Sequence, residues 1–170
     1  MTKRIYIDVD GVLNAFEPDD SFKRSKITFN STAYYVNLNP EHGKWLLDLA
    51  LETDSELVWG TMWEDLANVH IGPVVGLPYL PVMPVKQLQY ETPIRSVGQL
   101  KAYAVSRYAK SDTFVFFDDE YDVGAYFEYY NVENGKHIYV DENTGLQQAH
   151  ITAAREFLGR AQTKETDIVL

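Results

Sequence analysis

Two aspartates separated by one residue stand near the amino terminus. The apolar run that begins at Arg4 ends in Asp8, and Gly11, just past Asp10, lets the chain turn sharply so that both carboxylates can face one pocket. Carboxylates crowded in this way repel each other unless a cation compensates them. Oxygen ligands of this kind suit Mg²⁺, which also bridges to substrate phosphate. The spacing therefore makes Asp8 and Asp10 candidates for a magnesium site.

A second acidic pair, Asp118 and Asp119, follows the apolar run Thr113–Phe117. An apolar run of this length is typical of a parallel strand that is buried on both faces. Neither acidic pattern is specific by itself, because Asp-x-Asp is also common in turns and occurs in nucleotide-sugar transferases. The two patterns in this order, each at a strand end, are much more specific. We expect the second pair to complete the anionic side of the site.

The elements that carry these acids alternate between strands and helices. Strands are predicted at residues 4–8, 56–60, 113–117 and 137–140, and helices at residues 40–51, 63–69, 96–108 and 146–158. The alternation predicts an α/β fold, a three-layer α/β/α sandwich around a Rossmann-like parallel sheet. Ligands bind at the carboxyl ends of strands in such sheets, which is where Asp8, Thr61 and the Asp118-Asp119 pair lie.

Two intervals between the strand ends bear on how open the site is. Lys26–Asn30 and Ala33–Asn37 flank a short polar turn and predict a β-hairpin flap after the first strand. The proline-rich segment Ile71–Val85 is predicted to be irregular, with a brief strand near Tyr79–Met83. Neither interval is long enough for a large cap domain. We expect an open site, screened by the hairpin and the loop around Trp63.

Taken in order, these residues resemble the four motifs of the haloacid dehalogenase (HAD) superfamily. Asp8–Asn14 matches the first motif, a strand followed by Asp-x-Asp, and Leu57–Thr61 is similar to the second, a strand that ends in Thr or Ser. Lys101 is similar to the helix-borne lysine of the third motif. Phe114–Asp119 is similar to the fourth, a hydrophobic strand that ends in two acids. The resemblance covers residues 4–158.

The resemblance implies a catalytic role for four residues. Asp8 would be the nucleophile, and Asp10 the general acid that protonates the leaving oxygen and then the base that activates water. Thr61 would hydrogen-bond the transferring phosphoryl group, and Lys101 would neutralise Asp8 and the phosphoryl oxygens.

The resemblance also implies the metal ligands. Mg²⁺ would be held by Asp8, by the backbone carbonyl of Asp10 and by Asp118, with Asp119 in direct contact or one layer behind. Two assignments have alternatives in the sequence. Thr61 would equally suit a cap of the helix that follows it, and Lys86 or Lys110 would be able to replace Lys101.

The implied activity is Mg²⁺-dependent phosphomonoester hydrolysis, by a phosphatase that forms an aspartyl-phosphate intermediate. In finer detail, Trp59–Glu64 and Thr144–Leu146 look like a group of small HAD-like proteins of phages and bacteria, some associated with nucleic-acid repair. Open HAD sites take bulky substrates, so a nucleotide or a nucleic-acid end is the expected phosphorylated partner. The alternatives are a mononucleotide-specific nucleotidase and a non-catalytic binding module. Trp63, Tyr34 and Tyr35 either stack on a base or pack within the protein.

Composition limits the remaining choices. A chain of 170 residues with 45% hydrophobic content fits one domain, which we place at residues 1–160 with a tail at 161–170. The absence of cysteine excludes disulfides and thiolate metal sites, and no signal peptide or membrane span is predicted, so a cytoplasmic location is expected. A net charge of −10 opposes wide non-specific binding to nucleic acid but allows one phosphate to be held locally.

Overall fold

The computed structural model describes residues 1–159, and the predicted tail at 161–170 lies outside the described residues. The strands are β1 (Lys3–Ile7), β2 (Lys23–Phe29), β3 (Thr32–Leu38), β4 (Ser55–Trp59), β5 (Thr113–Asp118) and β6 (Gly135–Tyr139). The helices are α1 (His42–Thr53), α2 (Asp65–His70), α3 (Gly72–Val75), α4 (Val97–Tyr108), α5 (Val123–Tyr129) and α6 (Gln148–Leu158). A 3₁₀ helix spans Lys86–Tyr90.

Four strands form a parallel sheet in the order β4-β1-β5-β6. Ile7, the last residue of β1, lies opposite Trp59 of β4 and Phe117 of β5. The three strands therefore end within one residue of one another. The residues that follow them emerge at the same edge of the sheet.

Hydrophobic clusters cover both faces of the sheet. Ile5 and Ile7 of β1 belong to a cluster with side chains of α1 and α6, whereas Tyr6 belongs to a second cluster with side chains of α4 and α5. Successive strand residues point to opposite faces, so this division places one helical layer on each side. The predicted three-layer α/β/α sandwich is confirmed.

The predicted hairpin is also confirmed and is longer than expected. β2 and β3 pair antiparallel along their full lengths. Asn30 and Ser31 at the tip have φ values of 47° and 61°, which is the geometry of a two-residue turn that matches the twist of a hairpin. No inserted cap domain lies between β1 and α4, all of which the structure describes.

Three local predictions differ from the structure. The first helix begins at His42 rather than Pro40, because Asn39 Oδ1 accepts the Glu41 N–H at 2.9 Å and closes a turn before the helix. The strand expected near Tyr79–Met83 is a single bridge between Val82 and Trp59. Helix α5 was not predicted, and neither was α3, which lies in the segment Ile71–Val85 that was expected to be irregular. Within residues 1–159, no helix is long and apolar enough to cross a membrane.

Candidate active site

Asp8 follows β1 directly and is 3% exposed. Its backbone N–H donates to the Phe117 carbonyl at 3.1 Å, so the hydrogen-bond ladder between β1 and β5 continues past the end of β1. Its Oδ1 accepts the N–H of Val9 at 2.8 Å. The sheet thus holds this carboxylate in a fixed orientation at the middle of its carboxyl edge.

Lys101 reaches this edge from the second turn of α4. The helix begins where sequence predicts, because Ser96 Oγ accepts the Gln99 N–H at 3.0 Å. Lys101 Nζ donates to Asp8 Oδ2 at 2.6 Å and to Asp118 Oδ2 at 2.7 Å. Burial alone would lower the pKa of Lys101, but the two carboxylate charges outweigh it and raise that pKa. The ammonium group therefore stays charged between the two acids.

Asp8, Asp118 and Asp119 form a compact cluster of carboxylates. Each offers one oxygen, and these oxygens lie within 4.8 Å of one another. Burial, reinforced by the charge of Asp8, raises the pKa of Asp119 to about 7. Lys101 compensates only part of the negative charge, so the cluster is unfavourable without a further cation. Three hard oxygen donors with surplus negative charge fit Mg²⁺.

A pocket of about 300 Å³, which we call the acidic pocket, opens over this cluster. Its lining includes the carboxylates of Asp8, Asp10, Asp119, Glu120 and Glu142, together with Thr61 and Lys101. The acids outnumber the one lysine, so a phosphate dianion would be repelled from the pocket on its own. A divalent cation reverses this repulsion, and the pocket therefore suits a phosphoryl group that arrives with Mg²⁺.

Asp10 lines the acidic pocket but its carboxylate is not part of the cluster. Oδ1 accepts the side-chain N–H of Asn14 at 2.9 Å, and Oδ2 accepts the indole N–H of Trp63 at 2.9 Å. Two donors thus orient an exposed carboxylate at the mouth of the pocket. This arrangement suits a group that transfers protons to and from a bound substrate. Metal binding by the Asp10 backbone carbonyl stays a prediction.

Thr61 lies in a turn between β4 and α2 and is 1% exposed. Its Oγ1 accepts the N–H of Trp63 at 3.2 Å, and α2 begins only at Asp65, so Thr61 is not the cap of that helix. Glu64 in the same turn has a φ of 48°, which is uncommon for a residue with a side chain. The backbone is thus held in an unusual conformation where it brings Trp63 to Asp10.

The base of the hairpin is fastened to the same part of the site. Asn14 Oδ1 accepts the Asn37 N–H at 2.8 Å, and Asn37 Nδ2 donates to the Ala15 carbonyl at 2.9 Å. We call these contacts among Asn14, Ala15 and Asn37 the hairpin clasp. Because the Asn14 amide also donates to Asp10, the clasp connects the hairpin to the candidate proton-transfer group.

Gly11 lies in the loop that leads from Asp8 and Asp10 to the hairpin clasp. Its φ of 78° is a conformation that glycine adopts readily and other residues rarely. A β-carbon at this position would overlap the carboxylate of Asp119. The glycine therefore lets the first and last acidic segments approach each other closely.

The structure brings the predicted residues Asp8, Thr61 and Lys101 to one pocket. Lys86 and Lys110, the alternative lysines, are exposed and line other parts of the surface. The roles assigned to these residues stay predictions. The sequence did not reveal Asn14 and Trp63 as hydrogen-bond donors to Asp10, although the four-residue spacing of Asn14 from Asp10 and the proximity of Trp63 to Thr61 were available signals.

The parallel sheet, the hairpin after its central strand and the buried carboxylate cluster are those of a HAD-like Rossmannoid domain. Residues 4–151 match the family described as the HAD domain in Swiss Army Knife RNA repair proteins, and the chain belongs to that family. No curated protein and no solved structure gave a significant match. The match runs from β1 into α6 and includes every residue of the acidic pocket.

Proposed function

We propose that this chain is a Mg²⁺-dependent phosphatase that removes a terminal phosphate from RNA through an aspartyl-phosphate on Asp8. The observation that carries the proposal is the buried Asp8 carboxylate, held by Lys101 beside Asp118 and Asp119 in the acidic pocket. Membership in a family of HAD domains from RNA repair proteins supports the choice of substrate.

The proposed reaction has two steps. A carboxylate oxygen of Asp8 attacks the phosphorus, the bond to the leaving oxygen breaks, and Asp10 gives its proton to that oxygen. Asp10 then takes a proton from water as the water oxygen attacks the phosphorus, which releases inorganic phosphate and restores Asp8. Lys101 and Thr61 stabilise the phosphoryl oxygens as charge develops on them.

Asp8, Asp118 and Asp119 would hold Mg²⁺, and the Asp10 carbonyl is proposed as a further ligand. The ion supplies positive charge that draws the phosphate into an acidic site and offsets charge in the transition state. The chain's own residues position the nucleophile and move the proton.

The open site supports a nucleic-acid end as substrate. Between Asp8 and Lys101 the pocket is lined by loop residues and the start of α4, and no cap domain is inserted in this described stretch, so a long strand can approach it. A free mononucleotide would fit the same site and is the competing substrate.

The test is a phosphate-release assay with a matched substrate panel. RNA oligonucleotides with a 5′ or a 3′ phosphate, the same sequences in DNA, the mononucleotides and an aryl phosphate are compared with Mg²⁺ and with excess chelator. We expect Mg²⁺-dependent release with the highest kcat/KM on one RNA terminus. The Asp8→Asn variant is the control for contaminating phosphatase.

Three results would contradict the proposal. Equal activity in excess chelator would remove the metal requirement. A preference for mononucleotides over every oligonucleotide would make the protein a nucleotidase. Release from no substrate by a folded, Mg²⁺-loaded protein would favour a non-catalytic binding module.

A further inference from the structure

A second cavity of about 360 Å³ adjoins the acidic pocket, and Asp10 and Met62 line both. One of its walls is the hairpin and the other is the segment that follows β4. Its aromatic lining consists of Phe29, Tyr34, Tyr35 and Trp63. We call this cavity the aromatic cleft. Its volume falls in the range of about 300–1,000 Å³ that is usual for small-ligand sites.

The hairpin presents aromatic surface to this cleft. Tyr34 lies opposite the buried Ile27 in the strand register, on the hairpin face that also carries buried Val36. Nevertheless, Tyr34 is 46% exposed and Phe29 is 36% exposed. Large rings left accessible in a concave site, on strands that fix their positions, provide flat surfaces for a stacking ligand.

The charge of the hairpin differs from that of the rest of the chain. Residues 21–38 contain Lys23, Arg24 and Lys26 and no acid, whereas the whole chain carries a net charge of −10. The Arg24 guanidinium lies 4.5 Å from the centre of the Tyr35 ring, and Lys26 is the cross-strand partner of Tyr35. Arg24 and Lys26 lie on the hairpin face that carries Tyr35, opposite to the face of Tyr34, so this cationic strip meets the aromatic cleft at Tyr35.

We propose that the aromatic cleft binds the base of the nucleotide that bears the terminal phosphate, and that Arg24 and Lys26 contact the next phosphates of the strand. The inference rests on the proposed phosphatase function. Because the acidic pocket and the cleft share Asp10 and Met62, a nucleotide whose phosphate lies over Asp8 extends its base toward the cleft. Stacking accepts any base, since every base has a flat π face.

The basic strip explains how an acidic protein can hold a polyanion. The contact is confined to two or three cations, so the affinity for RNA should depend only weakly on salt. The acidic remainder of the surface repels the strand away from the hairpin. We therefore expect the protein to bind a strand end and not the middle of a strand.

The test compares an RNA oligonucleotide with an otherwise identical one whose phosphorylated terminal nucleotide lacks a base, using kcat/KM on an aryl phosphate as the internal reference. The parent should prefer the base-bearing end by about tenfold or more, the order expected for one stacked base. Tyr34→Ala should lose most of this preference, and Tyr34→Phe, which keeps the ring, should retain it. Tyr90→Ala is the matched control, because Tyr90 is 85% exposed in the 3₁₀ helix.

A parent that hydrolyses both ends equally well would overturn the cleft proposal while leaving the phosphatase intact. If no phosphate is released from any substrate, the proposed function fails and the cleft is tested by binding. In that arm the probe is a phosphorylated RNA whose terminal base is 2-aminopurine. Quenching in the parent and its loss in Tyr34→Ala would support the cleft, and quenching that is equal in both, or absent from both, would refute it.

Discussion

The indole N–H of Trp63 donates to Asp10 Oδ2 at 2.9 Å, across 53 residues of sequence. Asn14 binds the other oxygen of the same carboxylate at 2.9 Å. The side chain proposed to transfer the proton is therefore oriented from two sides, once by the loop after β4 and once by the hairpin clasp. Trp63 also lines the aromatic cleft, so it lies in one half of the proposed substrate site and hydrogen-bonds a residue that lines both.

Trp63→Phe keeps most of the ring and removes the donor to Asp10. We expect kcat/KM for phenyl phosphate, whose leaving oxygen needs a proton, to fall about fivefold, the usual worth of one hydrogen bond of about 1 kcal/mol. For 4-nitrophenyl phosphate, whose leaving group needs little protonation, the loss should be smaller. Trp45→Phe, in a half-buried tryptophan of α1, is the control. Equal losses on both substrates would argue against a positioning role for Trp63.

We expect Asp8→Asn and Asp10→Asn to block different steps of the proposed reaction. Asp8→Asn removes the nucleophile, so turnover should fall to background and no phosphoenzyme should form. Asp10→Asn keeps the nucleophile and removes the acid and base, so turnover should slow by roughly 10²–10⁴. With an aryl phosphate the first step suffers less than the second, and aspartyl-phosphate should accumulate. Intact-mass measurement after acid quench detects it, and a label on any residue other than Asp8 would refute the mechanism.

Lys101→Met leaves Asp8 and Asp118 buried without their shared cation. Loss of one partner of a buried ion pair typically costs about 3–5 kcal/mol, so the free energy of unfolding without Mg²⁺ should drop by that order. Mg²⁺ should restore more stability to this variant than to the parent, because it compensates the same carboxylates. Turnover should stay lower by about 10² or more, since the ion does not replace the lysine in the transition state.

Thermal unfolding with and without Mg²⁺ measures the effect of Lys101→Met on stability. The kcat of the variant measures its effect on turnover. Lys86→Met is the control, since Lys86 is exposed at the start of the 3₁₀ helix. An equal Mg²⁺ effect on parent and variant, or turnover near that of the parent, would contradict the assigned position of Lys101.

His42 gives the fold a dependence on pH that is separate from catalysis. Its ring is fully buried, and burial lowers its pKa to about 4. The His42 imidazole therefore takes up a proton near pH 6.5 in the unfolded chain, but only near pH 4 in the folded chain. Stability should be unaffected by this group above pH 6.5 and should fall between pH 6.5 and 4, by at most about 3 kcal/mol.

Urea unfolding of the parent and of His42→Leu at pH 7.5, 6 and 5 tests this. The carboxylates and the other histidines contribute equally to both proteins, so the difference between the two curves isolates His42. We expect the variant to lose less stability on acidification. Two curves that run parallel over this range would show that His42 titrates normally.

The parallel sheet and its acidic edge were predictable because they depend on local patterns. The short apolar run Thr113–Phe117 is typical of a central strand, and in the structure Asp8 follows the last residue of β1 directly. The hairpin was predictable for the same reason. Asn30 tolerates the left-handed backbone that a two-residue turn requires.

Helix α5 was not predictable from its apolar periodicity. Its buried positions are Val123 and Phe127, and the tyrosines around them hide this single stripe. The donors to Asp10 were missed for a different reason. Trp63 and Asp10 are 53 residues apart in the sequence, and their contact depends on how the turn after β4 is placed beside the loop after β1. Contacts set by tertiary geometry are the part that a sequence pattern does not encode.

The hairpin clasp separates the sequence of the hairpin tip from the orientation of Asp10, so that either one can change without the other. The hairpin is joined to the site by the clasp at its base and to the core by the buried side chains of Ile27 and Val36. Residues at the tip can be exchanged, added or removed while the amide that orients Asp10 stays in place. We therefore expect changes at the hairpin tip to alter the proposed substrate contacts while the hydrogen bond from Asn14 to Asp10 stays in place.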